Sequence, residues 1–208
     1  MAAPGPWPTI HSERSALADD LDALSDEQWS TPSLCEHWSV WEALGHMTAT
    51  AKMSPARFVL KMAGTGFRFE PMLAKEIARE TAGTPADTLA QFRSAANRSS
   101  APPGPVDTWL GETIVHAEDI RRPLGIAHEY PTEAVVRVAD FYKGSNLLIG
   151  AKTRIAGLTL RADDTDWSTG TGPEVTGPML SLVLAMTGRP AALADLSGDG
   201  LAALSEQL

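Results

Sequence analysis

Glu112 and His116 stand four residues apart in GETIVHAEDIRR, a stretch whose apolar spacing predicts a helix. Residues at i and i+4 of a helix stack on one face, so this carboxylate and this imidazole point the same way. A His₂Glu metal site could take two of its three protein ligands from such a pair. The third must come from elsewhere, and His46 in WEALGHMTAT is the leading candidate. E-x-x-x-H is a common spacing, and its plainer reading is an exposed ion pair or a histidine satisfied by a neighbouring carboxylate. Here, however, Glu112, His116 and Asp119 form a narrow polar strip bordered by Trp109, Ile120 and Val115. Ionisable groups between large apolar ones suggest a partly dry face. Asp119 could orient a ligand ring, or simply pair with Arg122.

Other reactive side chains point less clearly to chemistry. His46 alone falls on the flank of its helix, roughly 120° from the centre of the apolar stripe. His11, His37 and His128 lie in or near connectors or the terminus and are weaker ligand candidates. Cys35 is the one cysteine; no histidine–acid pair is evident around it, and the reading favoured is a small buried hydrophobe. Trp38 and Trp41 could wall a cavity beside His46, though core packing is the plainer role. Asp163, Asp164 and Asp166 lack the glycine and distal glutamate of an EF-hand loop, which favours a turn at a strand end.

The elements that must position these residues are mostly helical. Leu17, Leu21 and Leu24 give an amphipathic helix over 10–24, followed by a connector, SDEQWSTPSLCEHW, with at most a short helical turn. Ser39 and Glu42 make an S-x-x-E capping box that opens a helix through Val40, Leu44, Met47 and Ala51, extending as far as the Gly64–Gly66 break. A short helix is expected over 71–80. Thr84 and Pro85 then open a helix through Leu89, Phe92 and Ala96. After the loop SSAPPGPV comes the Glu112 helix, 107–122, ended by Pro123 and Gly125. A helix over 132–152 follows, with Val135, Val138, Phe141, Leu148 and Ile149 as core candidates. RIAGLTLRADDTDW alternates like a strand pair, STGTGPEVTGP reads as turns, and helices are expected at 179–186 and from Gly200 onward. The fold class is mainly α: a four-helix bundle over 1–152, then a small α+β unit over 153–208.

Composition limits the partners. The 208 residues are 43% hydrophobic and 21% charged, ordinary for a globular protein. A net charge of −9 argues against nucleic acid and against anionic membrane surfaces. One cysteine excludes an internal disulfide or a multi-thiolate zinc site, and a reducing cytoplasm is the simplest compartment. The first residues, MAAPGPWPTIHSER, lack the regions of a secretory signal, and the longest apolar runs, such as MLSLVLAM, are too short for a membrane span.

Three ordered motifs, PSLCEHWSVWEALGHM, GETIVHAEDIRRPLG and TGTGPEVTGPMLSLVLAMTGRPAALADLSGDG, together resemble the mycothiol-dependent maleylpyruvate isomerase family of actinobacteria, within the wider DinB-like metal-binding bundles. The resemblance implies a divalent metal, usually zinc, held by His46, Glu112 and His116. It implies mycothiol as the thiol and a sterol-carrier-like C-terminal unit. It also implies a catalytic arginine from that unit; Arg189 in TGRP is the nearest match, Arg161 an alternative, and a solvated or helix-terminus arginine the plainer reading of either. The expected activity is thiol-dependent cis–trans isomerisation or S-transfer on a small electrophile. The alternatives are thiol-independent metal hydrolysis and a non-catalytic, metal-stabilised module that binds a small ligand or serves in interactions. Related bundles often pair, which leaves a homodimer open.

Overall fold

The structure, a computed structural model, describes residues 5–147 and 149–208. It divides into two compact units, 1–128 and 129–208. The division precedes the helix opened by Pro131, so that helix counts with the C-terminal unit and the expected boundary at 152/153 lies inside it.

The N-terminal unit contains α1 (Trp7–Asp20), α2 (Asp26–Trp29), α3 (Val40–Lys52), α4 (Pro55–Ala63), α5 (Phe69–Glu80), α6 (Pro85–Ala95) and α7 (Val106–Leu124). Helices α1, α6, α3 and α7 each pack on the next and close a four-helix ring, with α5 against the outer side of α3. Gly45 permits that last approach: a Cβ there would lie 2.8 Å from the Thr81 side chain. Its core holds Leu17, Leu21, Leu44, Met47, Phe92, Leu110, Ile114 and Ile120, all nearly or fully enclosed.

The expected helix starts are realised as caps. Ser39 and Glu42 form a reciprocal capping box, as do Thr84 and Asp87 and, at the short α2, Ser25 and Gln28. Helix α3 does not run on to Gly64, however. Pro55 disfavours helical geometry in the residue before it, Met53 and Ser54 are extended, and the Ser54 hydroxyl caps a new helix, α4. Among the described residues no helix is long and apolar enough to cross a membrane.

The C-terminal unit contains α8 (Thr132–Tyr142), α9 (Ala151–Arg154), β1 (Thr159–Ala162), β2 (Ser168–Gly170), β3 (Glu174–Gly177), α10 (Met179–Met186), a 3₁₀ turn (Pro190–Asp195) and α11 (Leu201–Ser205). The continuous helix expected over 132–152 is instead two pieces. Gly144, Ser145 and Asn146 break it, and Asn146 and Ser145 spend their side chains on the backbone of Thr153 and Leu147. Val135 and Val138 are core residues as expected, Phe141 and Ile149 are half-buried, and Leu148 lies outside the described residues. The glycine-rich stretch read as turns supplies two strands: the sheet order is β2-β1-β3, with β1 antiparallel to β2 and parallel to β3. Asp164 accepts from the backbone N–H of Met179 at 2.9 Å, a turn role in keeping with the strand-end reading.

Candidate functional site

The site lies inside the bundle, on the facing sides of α3 and α7. Helix α7 presents Glu112, His116 and Asp119 in a row, as their spacing requires, and α3 brings His46 against them. The His46 and His116 rings meet edge to face with centroids 4.7 Å apart. His46 Nε2 lies 3.8 Å from Glu112 Oε1, and the three side chains are only 14%, 16% and 9% exposed for His46, His116 and Glu112. The three predicted ligands therefore converge. Trp38 covers both imidazoles, its ring 5.0 Å from His46 and 6.1 Å from His116, while Trp41 turns to α6 and donates to Thr88 Oγ1.

On the other edge of the His116 ring, Nδ1 meets Asp119 Oδ2 at 2.8 Å. Asp119 is fully buried, and Arg122 donates to Glu118 at 3.0 Å. A carboxylate on Nδ1 fixes the tautomer and leaves Nε2 for another partner. The same carboxylate oxygen accepts from the Cys35 thiol at 2.9 Å, and Cys35 Sγ is 3.4 Å from His116 Nδ1. Cys35 is thus half-buried and part of the site, which corrects the expectation of an inert hydrophobe.

A proline explains how Cys35 arrives there. Pro123 sits within α7 and has no N–H to give the carbonyl four residues back, that of Asp119. That carbonyl instead accepts from Leu34 N–H at 3.0 Å, tying the α2–α3 connector to α7 beside the site. A turn closed by Trp38 N–H on Cys35 C=O, with His37 at φ +69°, then sets Cys35 and Trp38. Pro123, four residues after Asp119, was the available signal for this anchor. By its position alone it reads only as a helix stop.

A second missed residue is Arg14. It lies on α1 at 0% exposure, with Nη2 4.0 Å from Glu112 Oε2. Ile10, Arg14, Leu17 and Leu21 follow one another at spacings of four, three and four, so an arginine occupies a place in the apolar stripe. That misfit was legible.

Electrostatics follow from burial. Enclosure pushes the Glu112 carboxyl above its ordinary range, with Arg14 and His116 pulling the other way. Burial opposes the charged form of His116, but its bonds to Asp119 and Cys35 and the charge of Asp119 prevail, raising its pKa to about 10.

Two sets of donors share His116. In the first, His46 and Glu112 lie beside the His116 ring. Glu112 Oε1 is buried and has no hydrogen-bond partner among the described residues. Its 3.8 Å gap to His46 Nε2 is too long for a hydrogen bond, yet two metal bonds of about 2.1 Å span it at a wide angle. Two imidazoles and a carboxylate also suit a borderline divalent cation. In the second set, the ligand atoms of Cys35, His116 and Asp119 all lie within 4.8 Å of one another. Their closest separations are those of hydrogen bonds, and one Asp119 oxygen serves both partners.

The arginines considered for catalysis belong to the C-terminal unit. Arg189 is half-buried at the start of the 3₁₀ turn, and its Nη1 donates to Thr187 C=O at 2.7 Å. Arg161 is exposed on β1 and pairs with Glu174 at 2.8 Å.

Residues 10–105 match the family model described as the mycothiol maleylpyruvate isomerase N-terminal domain. That span includes Arg14, Cys35 and His46 and stops short of α7. Two solved structures, of a mycothiol-dependent maleylpyruvate isomerase and of a His-to-Ala mutant of it, align at a TM-score of 0.63 and 16% identity. Each alignment covers 93% of this chain and 91% of the other, so nearly all of the chain shares that fold. No curated protein matches. Over residues 10–105 the chain is thus similar to the mycothiol maleylpyruvate isomerase N-terminal domain, and beyond them it shares the fold of the solved isomerase.

Proposed function

We propose that the protein is a metal-dependent isomerase that uses a small thiol of the mycothiol type to convert a cis-unsaturated, carbonyl-activated electrophile to its trans form. The observation that carries the proposal is the buried Glu112 carboxylate, one oxygen turned to His46 beside His116. His46, Glu112 and His116 would hold the cation. A divalent ion such as zinc in a three-ligand site keeps a position open and favours the deprotonated form of a thiol placed there. Mycothiol supplies the nucleophile that adds reversibly to the double bond and leaves after rotation, so none is consumed.

The chain's own residues have distinct tasks. Asp119 accepts a hydrogen bond from the Nδ1–H of His116, which fixes the ring and leaves Nε2 for the cation. Trp38 covers both rings and keeps water from that edge. For the arginine role we favour Arg189, the nearer match to the family motif in TGRP, over Arg161. S-transfer to the same class of electrophile would use the same site. The cytoplasm is the compartment this reading favours.

A second reading rests on the Cys35 geometry: a protein thiol beside an imidazole and a carboxylate could itself be the nucleophile. One assay separates the two. Zinc-loaded protein should isomerise maleylpyruvate only when mycothiol is added, and His116→Ala should lose both stoichiometric zinc and turnover while keeping its helical circular dichroism. Turnover without added thiol favours the second reading; full zinc occupancy in the variant refutes the ligand assignment.

A further inference from the structure

We propose that Arg14 is a positioning residue that holds Glu112 from behind, engaging one carboxylate oxygen so that the other is left for the cation. The inference rests on the assignment of His46, Glu112 and His116 as ligands. The carboxylate of Glu112 is shared between two neighbourhoods. Oε2 faces Arg14 Nη2 at 4.0 Å and Thr113 Oγ1 at 3.4 Å, and the Thr50 side chain also hydrogen-bonds the carboxylate; Oε1 faces His46 Nε2 at 3.8 Å. Arg14 is fully enclosed, and its Nε, Nη1 and Nη2 have no hydrogen-bond partner among the described residues. Glu112 is the acid recorded against it.

A guanidinium in the interior is tolerated only beside compensating charge, and Arg14 stands where the stripe on α1 otherwise carries Ile10, Leu17 and Leu21. A leucine or methionine there would fill the space at less cost, so the arginine is better explained by what it does to Glu112 than by packing. With its charge on the Oε2 side, the carboxylate is restrained from rotating, and it offers a cation one oxygen in a fixed direction. Without it, only the Thr50 and Thr113 hydroxyls restrain Glu112, and the carboxylate can turn to bind through both oxygens.

Charge alone predicts the opposite outcome to positioning, which makes the test decisive. A guanidinium close to a divalent cation repels it, so a mere bystander charge would weaken binding, and its removal would tighten it. A positioning residue strengthens binding, and its removal should weaken it about 10- to 100-fold, the usual effect of losing an outer partner of a ligand. The experiment is competitive zinc titration of the wild-type chain and Arg14→Met, with cobalt(II) absorption of both as the geometric readout. Weaker zinc binding together with a less intense visible cobalt band, as the four-coordinate geometry gives way to a higher coordination number, supports the proposal. Unchanged or tighter zinc binding, or an unaltered cobalt band, overturns it.

Should Arg14→Met fail to fold, Arg14→Lys and Arg14→Gln replace it. Lysine, which keeps the charge, should stay within about threefold of wild type, and glutamine should weaken zinc at least about tenfold; the reverse order overturns the proposal. A wild-type chain that takes up no zinc refutes the ligand assignment itself, whereas wild-type binding that Arg14→Met leaves intact refutes only the role of Arg14.

Discussion

In the N-terminal unit, Arg14, Asp119 and Arg121 are each completely enclosed, and Glu112 nearly so. In the C-terminal unit the comparable places are filled by hydrocarbon: Leu182, Val183, Leu184 and Met186 on α10, with Leu160 and Val175 from the sheet. Its recorded ion pairs, Arg161 with Glu174 and Lys143 with Asp140, lie toward solvent. Burying apolar surface stabilises with little demand on direction, whereas each buried charge needs a partner at a fixed distance. The N-terminal unit accepts that constraint on α1 and α7, at and behind the proposed metal site. Departures from local folding rules often mark working sites; here Asp119 bonds His116 and Arg14 faces Glu112, while Arg121 pairs with Asp20.

The first way to break the contrast is to damage each region and read both outcomes. Leu184→Ala should lower unfolding free energy by about 2–5 kcal/mol through lost burial and the cavity left behind, with zinc affinity in the folded protein unchanged. Denaturant unfolding and zinc titration on the same sample check this. A large fall in zinc affinity would mean that the apolar unit is not separable from the site.

The charged region should respond to pH as the apolar one does not. His116 holds its proton to about pH 10 in the metal-free chain, so a cation must displace that proton at neutral pH. Zinc affinity should then climb about tenfold per pH unit between pH 7 and 9. Stability of the metal-free chain should move oppositely. A histidine whose pKa rises from 6.5 to about 10 on folding stabilises fully below pH 6.5, and that contribution is lost as pH rises through 10. Melting of the metal-free protein across this range should show a decline that His116→Ala lacks; a flat zinc affinity would contradict the hydrogen-bonded imidazolium.

Asp119→Asn sharpens the contrast further. It keeps the shape and an acceptor for Nδ1–H but removes the charge, and zinc affinity should fall about 10- to 100-fold with a much smaller stability change than Leu184→Ala. Isothermal titration measures it, and an unaltered affinity would make Asp119 a passive core group.

What could be read in advance follows the same division. Helix starts at Ser39 and Thr84 were legible because capping is local, and the Glu112–His116 pair because helical spacing is local. The convergence of His46 with that pair is a tertiary fact that only a resemblance could suggest. The break after Tyr142 went unread because the apolar spacing on both sides of Gly144 stays compatible with one helix. Strand β3 went unread because Gly and Pro dominated a short segment that pairs in parallel with a distant partner. Cys35 was misjudged because its neighbours, His116 and Asp119, are 81 and 84 residues away. Arg14 was in plain view, and a charge in an apolar stripe is a signal that needs no structure.

The smallest effect concerns Cys35, and it decides whether the site has one nucleophile or two. A serine hydroxyl can donate to Asp119 much as the thiol does, so Cys35→Ser should preserve the hold on the His116 ring. Zinc affinity should change by less than about threefold, the modest cost of replacing one hydrogen bond by another. Turnover supported by added thiol should likewise persist, since the nucleophile then comes from outside the chain. Steady-state rates at saturating mycothiol, with zinc content measured on the same preparation, test both. Complete loss of turnover with zinc retained would make Cys35 the reacting thiol, and the hydrogen bond to Asp119 would then be the feature that prepares it.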